Sequence, residues 1–257
     1  KASDSDMKRE NANIDADTAM GTMLKYGSES AKQFYEMCVI DPKYARAHRE
    51  GDIHIHDMDF YTLTTTCCQI DIRKLFKNGF STGHGVLREP NDIASYAALA
   101  CIAIQSNQND QHGGQSICDF DYGLAIGVGK TYRRLYKKHL AEALDLISDI
   151  ENVKEFTEEM LGRVEGETKL VASLVMDATF TAAVHAALLG AGIAEEVAAR
   201  AMSYAEKHAQ SDTDRTTFQS MEALVHNLNT MHSRAGAQTP FSAVNYGMDT
   251  SAEGRMV

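Results

Sequence analysis

The sequence IHIHDMDFYTLTTTCC spans residues 53–68 and combines a strand-like pattern with a concentration of reactive side chains. Isoleucine alternates with histidine at its start, and this two-residue period predicts a strand over residues 52–57. The β-branched threonines that follow favour a second extended segment over residues 60–69. On a strand, His54 and His56 would project from the same side. The stretch therefore predicts extended chain with a polar site on one face.

The two histidines permit two interpretations. Paired imidazoles could bind a metal with Asp57 as a further ligand, and a metal-dependent hydrolase would use the His54 and His56 pair in this way. Such a site needs more ligands, yet the downstream histidines fall in predicted helices. We therefore expect the histidines to form hydrogen bonds in a polar pocket, and we expect no metal site in this chain.

The chain contains five cysteines, two of which are adjacent. Neighbouring strand residues face opposite ways, so only one of Cys67 and Cys68 can enter a given pocket. Either one thiol is functional while the other packs, or both are buried as small hydrophobic side chains. The odd count, with no CxxC pair and no signal peptide, predicts free thiols in a reducing cytoplasm.

Composition narrows the class of partner. The 257 residues carry a net charge of −11 and are 44% hydrophobic, which is typical of a globular protein and argues against nucleic acid. No apolar run is long enough to cross a membrane, so we expect no membrane partner. The basic run KTYRRLYKKH at residues 130–139 is either a solvated helix face or a site for a phosphate.

Helical periodicity accounts for most of the remaining chain. The sequence predicts helices over residues 28–40, 43–50, 70–78, 91–106, 121–148, 153–162, 167–189, 194–209 and 213–231. Residues 241–247 alternate and predict a strand. The expected fold class is helix-rich α/β.

Several blocks occur in a specific order: KRENAN, GDIHIHDMDF, the cysteine pair, IRKLFKNGFSTGHG, QSNQNDQHGGQS and NLNTMHSRAGAQTPFS. Together they resemble the catalytic subunit of the anaerobic, class III ribonucleotide reductases, which are glycyl-radical enzymes that reduce ribonucleoside triphosphates. The resemblance implies part of a ten-stranded α/β barrel of the glycyl-radical enzyme type. Residues 1–257 would be the amino-terminal portion of one reductase catalytic domain.

The resemblance also implies what this portion lacks. The ATP-cone domain, the finger loop with its radical-bearing cysteine, the glycyl-radical segment and the carboxy-terminal zinc site of the family have no counterpart in the sequence. A radical-SAM (S-adenosylmethionine iron–sulfur) activating enzyme would install the glycyl radical. The partners implied are a ribonucleoside triphosphate substrate, a nucleoside triphosphate effector and a second copy of the chain in a homodimer.

Individual residues match family positions. Cys67 matches the cysteine that helps to reduce the 2′ position of the substrate, while His54, His56 and Asp57 match the block beside the substrate. The implied effector-binding residues are Arg88, Asn91, Lys130 and Arg134. The implied loop that connects effector and substrate sites contains Ser233, Arg234, Gly236 and Gln238. A further interpretation is a non-catalytic module that binds nucleotide and dimerises.

Overall fold

A computed structural model of the chain describes residues 18–61, 66–83, 85–108, 110–148, 150–231 and 239–257. The α-helices are α1 (Ala19–Cys38), α2 (Pro42–Glu50), α3 (Ile72–Asn78), α4 (Ile93–Asn107), α5 (Phe120–Ile147), α6 (Val153–Thr168), α7 (Ala178–Gly190), α8 (Glu195–Thr230) and α9 (Ala252–Met256). The strands are β1 (Cys68–Gln69), β2 (Phe80–Ser81), β3 (Val86–Leu87), β4 (Gln115–Ile117) and β5 (Ser242–Val244). A 3-10 helix covers Met58–Phe60. The expected helix-rich α/β class is confirmed.

The described residues belong to two compact units. The first takes its residues from Lys1–Asp71, Ala100–Cys118 and Leu224–Asn245, and the second from Ile72–Leu99, Asp119–Ala223 and Tyr246–Val257. In the described part of the chain, no helix is both long enough and apolar enough to cross a bilayer.

The first unit contains a parallel sheet of strand order β1-β4-β5. Gln115 in the central strand pairs with Cys68 on one side and with Ser242 on the other. Register partners in a parallel sheet project from the same face, so these three side chains share one face. Their chain neighbours Cys67, Gly114 and Phe241 immediately precede the three strands.

The core of the second unit is built from α5, α6, α7 and α8. Tyr136, Leu140 and Phe180 are fully buried there. Near its start, α5 is approached closely by earlier residues because Gly127 has no side chain. A Cβ at that position would press on the Tyr96 ring and the Ile93 backbone.

The structure corrects three sequence predictions. The strand predicted over residues 52–57 is wrong: this segment turns, because Asp57 adopts a left-handed conformation (φ 48°) and the Ile55 amide donates to the His48 ring. The helix predicted over residues 167–189 is interrupted after Lys169, whose φ of 59° ends α6. Asp177 then caps α7 by accepting from the Thr179 amide.

The third correction concerns the long helix α8. The sequence predicted two helices, over residues 194–209 and 213–231, whereas the structure has one, Glu195–Thr230. The intervening QSD at residues 210–212 contains polar residues that favour caps and turns, but it has neither glycine nor proline. Ala209 and Thr213 are buried on either side of it, and that packing holds the helical path.

Candidate active site

The adjacent cysteines lie in different surroundings at the start of β1. Cys67 is exposed, whereas Cys68 is half-buried. The Asn107 side chain donates from Nδ2 to Cys68 Sγ at 3.0 Å and to Gln115 Oε1 at 2.8 Å. Cys68 is therefore held against the end of α4, while the thiol of Cys67 is open to solvent.

A cavity of about 470 Å³ opens over the three parallel strands. It is lined by Cys67, Cys68, Gln69, Gly114, Gln115, Ser116, Phe241, Ser242 and Ala243. Phe241 is 61% exposed and gives this cavity an apolar side chain beside thiol, hydroxyl and amide groups. A combination of one exposed aromatic ring with several polar groups is suited to a small polar molecule that has a planar part.

Two consecutive glycines allow the loop before β4 to approach Cys67. Gly113 has a φ of 105°, and a Cβ there would strike the Thr66 carbonyl and come within 3.3 Å of Cys67 Sγ. A Cβ on Gly114 would press on the Phe241 ring. The close approach of this GG pair to the cysteine depends on tertiary packing and on the absence of a side chain at both positions.

The histidine block lies on the turn before the 3-10 helix. The His56 side chain is 82% exposed, and its Nδ1 lies 3.0 Å from Asp57 Oδ1. The His54 ring is exposed, with its centroid 5.9 Å from that of His56. Asp57 Oδ1 also lies 3.2 Å from Nε2 of His112. None of the three predicted residues is among the described residues that line the cavity at Cys67.

This geometry bears on the metal interpretation of the histidines. The shared strand that would have aimed His54 and His56 to one side is absent from residues 52–57. Within the ranges that the structure describes, no three His, Cys, Asp or Glu side chains form a group able to hold a metal. The metal-dependent hydrolase interpretation required a strand that aims His54 and His56 to one side, and residues 52–57 do not form that strand.

A second and larger cavity, of about 1440 Å³, lies in the second unit between α5 and α6. Its lining residues are Asn91, Lys130, Arg133, Arg134, Lys137, Lys138, Ala141, Glu142, Asp145, Asn152, Val153, Lys154, Glu155 and Glu158. The cations of α5 recur every three to four residues, which places them on one side of a helix. We call this the basic cavity.

The cations at the basic cavity are paired with different strength. Glu165, whose side chain is 8% exposed, accepts from Arg133 Nη2 at 2.5 Å and from Lys137 Nζ at 3.1 Å. Arg134 and Lys138 are looser: their nitrogen–oxygen distances to Asp92 and Glu142 are 3.5 Å, and both side chains are more than half exposed. An anion that binds Arg134 and Lys138 would therefore disrupt only the two weakest of these ion pairs.

Electrostatics reinforce the tight pairs. Burial disfavours the charged form of Glu165, but hydrogen bonds from Arg133 and Lys137 outweigh it and lower the pKa of Glu165. The hydrogen bond and charge of Lys130 lower the pKa of Glu89, whose carboxylate lies 2.5 Å from the ammonium. These carboxylates stay ionised at neutral pH and fix the cations that they bind.

Substitution of Glu165 with glutamine is expected to make the melting temperature depend less on pH between pH 7 and pH 3. A carboxylate with a lowered folded-state pKa contributes stability above its unfolded value of about 4.3, and this contribution is lost as the pH falls through the folded value. Melting temperatures measured from pH 7 to pH 3 should therefore fall more steeply for the native chain than for Glu165→Gln. The matched control is Glu167→Gln on the exposed side of α6, which should follow the native curve. Parallel curves for native and Glu165→Gln would contradict this role.

The family described as "Anaerobic ribonucleoside-triphosphate reductase" matches residues 10–257. The chain belongs to this family. It is similar to the anaerobic ribonucleoside-triphosphate reductase of Enterobacteria phage T4, with 23% identity over 98% of this chain and 32% of the relative. The reductases of Salmonella typhimurium and Escherichia coli K12 are each 23% identical over 96% of this chain and 27% of the relative. The chain spans less than a third of the length of these relatives.

The effector-binding residues predicted from the resemblance are brought together in part. Asn91, Lys130 and Arg134 line the basic cavity, whereas Arg88 is not among the described residues that do so. Arg133, Lys137 and Lys138 also line the cavity; they belong to the basic run at residues 130–139 that was a candidate phosphate site, although they were not among the individual effector residues. Ser233, Arg234, Gly236 and Gln238 of the predicted connecting loop lie outside the described residues.

Proposed function

We propose that this protein takes part in the reduction of ribonucleoside triphosphates to deoxyribonucleoside triphosphates by radical chemistry. The observation that carries the proposal is the family match over residues 10–257. The ten-stranded barrel, with residues 1–257 as the amino-terminal portion of its catalytic domain, is part of the same proposal. The small parallel sheet and its exposed cysteine are compatible with one section of such a barrel.

Cys67 is the proposed reducing thiol. Its exposure in a cavity of about 470 Å³ leaves room for a sugar carbon to approach the sulfur. A glycyl radical elsewhere in the enzyme, installed by a radical-SAM activating enzyme, supplies the radical character. A thiyl radical formed on another cysteine of the enzyme removes the 3′ hydrogen of the substrate, and the 2′ hydroxyl then leaves as water. Cys67 gives a hydrogen atom to the substrate radical that remains. Formate or a thiol supplies the two electrons of the overall reduction, and the 3′ hydrogen is returned. His54, His56 and Asp57 shape the surroundings of the substrate.

The basic cavity is the proposed effector site. A nucleoside triphosphate carries several negative charges, and an arginine or lysine bonds phosphate oxygens through charge-assisted hydrogen bonds. Lys130 and Arg134 with Asn91 lie at this cavity, so they are the residues that we assign to the effector. Arg88 is retained as a peripheral effector residue. The loop with Ser233, Arg234, Gly236 and Gln238 would communicate between effector and substrate.

The proposed partners follow from the same family. The protein would act as a homodimer, with an activating enzyme as a transient partner and a zinc site in the carboxy-terminal region of the complete enzyme. These partners supply the radical and the assembly. The residues described here would supply the reducing thiol and the nucleotide site.

The proposal is tested by anaerobic turnover. The polypeptide at its natural length, incubated with its activating enzyme, S-adenosylmethionine, formate or dithiothreitol, and cytidine triphosphate, should form deoxycytidine triphosphate that chromatography detects. Omission of the activating enzyme is the matched control and should give no product. An enzyme that carries a glycyl radical by electron paramagnetic resonance, yet forms no product with any of the four ribonucleotides, would overturn the proposed function.

A further inference from the structure

The turn at Asp57 is joined to the glycine loop by one side chain. His112 Nε2 lies 3.2 Å from Asp57 Oδ1, and the imidazole stacks on the Phe60 ring with centroids 4.1 Å apart and planes 22° from parallel. Asp57, Phe60 and His112 belong to the same compact unit. The histidine is thus held by a hydrogen bond at its edge and by an aromatic ring on its face.

His112 immediately precedes the glycine pair that packs against Cys67. The close approach of Gly113 to Thr66 leaves no room for a Cβ, and the Cys68 amide donates to the Gly114 carbonyl at 3.2 Å. The Gln111 side chain donates to the same carbonyl at 3.3 Å. A displacement of His112 would therefore be transmitted over one residue to the wall beside the Cys67 sulfur.

We propose that Asp57 and His112 are positioning residues that hold the Gly113–Gly114 loop against Cys67 and so fix how its thiol is presented in the cavity. This gives Asp57 a role through His112 and the loop, in place of direct contact with substrate. The catalytic consequence rests on the proposed function, whereas the effect on thiol accessibility does not depend on it.

The backbone conformation of Asp57 allows substitutions that change its side chain without disturbing the turn. Its φ of 48° is a conformation that asparagine and glycine adopt with little strain, so Asp57→Asn and Asp57→Gly both preserve the turn. Asparagine retains an oxygen that accepts from His112, and glycine does not. His112→Phe keeps a ring to stack on Phe60 and removes the hydrogen-bonding nitrogen.

The experiment measures alkylation of each cysteine by iodoacetamide, resolved by mass spectrometry, in the folded chain. Asp57→Gly and His112→Phe are each expected to raise the rate at Cys67 by at least about threefold, because loss of one hydrogen bond of ordinary strength loosens the loop. The exposed Cys38 in α1 serves as the internal reference and should react at an unchanged rate. Hydrogen exchange of the Cys68 amide, which donates to Gly114, should accelerate in the same two variants.

Two matched variants separate this role from general loosening. Asp57→Asn should react at the native rate, since the hydrogen bond is retained. Asp59→Gly removes a carboxylate from the same turn that accepts from Ser28, and it should also leave Cys67 at the native rate. The proposal is overturned if Asp57→Gly and His112→Phe leave the Cys67 to Cys38 ratio unchanged, or if Asp59→Gly raises it equally.

The same variants distinguish failure of this proposal from failure of the proposed function. In the active enzyme, His112→Phe is expected to lower kcat several-fold with KM close to native, because a positioned thiol matters in the transition state. An enzyme without reductase activity whose Cys67 labelling responds as expected would remove the proposed function and leave the positioning role. Native labelling in an active enzyme would do the reverse.

Discussion

Replacement of Cys67 with serine in the complete, activated enzyme is expected to lower deoxyribonucleotide formation at least about a hundredfold with little change in KM. A serine hydroxyl has nearly the same shape as a thiol, so binding is preserved. Its O–H bond is much stronger than an S–H bond, so it cannot give a hydrogen atom to the substrate carbon. The measurement is anaerobic turnover of cytidine triphosphate, with the radical content checked by electron paramagnetic resonance.

Cys68→Ser is the matched control one residue away. Its side chain is half-buried and accepts from Asn107, and a serine oxygen can accept the same hydrogen bond. We expect turnover within about threefold of the native enzyme, since one neutral hydrogen bond is exchanged for another. Native activity in Cys67→Ser, or equal loss in Cys68→Ser, would contradict the assignment of the reducing thiol.

The sequence predicts the difference between the two cysteines only through the alternation of side chains along a strand. Strand geometry predicts that Cys67 and Cys68 face opposite ways, but it does not say which one meets solvent. That choice depends on Asn107, which lies 39 residues away and donates to Cys68. A contact between elements so distant in the chain has no local signature, so the sequence could not predict the different exposure of the two cysteines, both of which line the cavity.

In the histidine block, a local pattern led to a wrong prediction, namely a strand over residues 52–57. Alternating isoleucine and histidine favours a strand, but the segment turns because Asp57 takes a left-handed conformation and the His48 ring accepts the Ile55 amide. Period alone cannot register such side-chain-to-backbone bonds, which compete with strand pairing. His112 was missed for a related reason, because its partners Asp57 and Phe60 are joined to it only in the folded unit.

The basic run could be predicted from the sequence more directly than the rest of the candidate site, because helical spacing places Lys130, Arg134 and Lys138 on one side of α5. The sequence could not rank these cations. Glu165, which holds Arg133 and Lys137, lies in α6, and only packing of α5 on α6 shows that those two charges are already engaged.

Removal of the two loosely paired cations is expected to abolish most nucleotide affinity. In the double variant Arg134→Ala with Lys138→Ala, the affinity for ATP should fall at least about tenfold, because each cation supplies a charge-assisted hydrogen bond to phosphate. Partial exposure screens both charges, so the loss should shrink as ionic strength rises. Isothermal titration at two salt concentrations measures both effects. The matched control, Arg200→Ala with Lys207→Ala, removes the same two charges from exposed positions of α8 and should bind ATP as the native chain does.

A substitution that is expected to raise the affinity for ATP tests the role of Arg134 independently. Asp92 competes with phosphate for Arg134 at 3.5 Å, and it also accepts from the Ser95 amide at 2.9 Å at the start of α4. Asparagine is an equally good cap but carries no charge. Asp92→Asn should therefore free Arg134 and raise the affinity for ATP severalfold. If the double variant weakens binding while Asp92→Asn leaves it unchanged or weaker, Arg134 does not exchange its carboxylate for phosphate, and Lys138 accounts for the loss. Native affinity in the double variant would contradict the assignment of both loosely paired cations and leave the more firmly held cations of the same cavity to bind the effector.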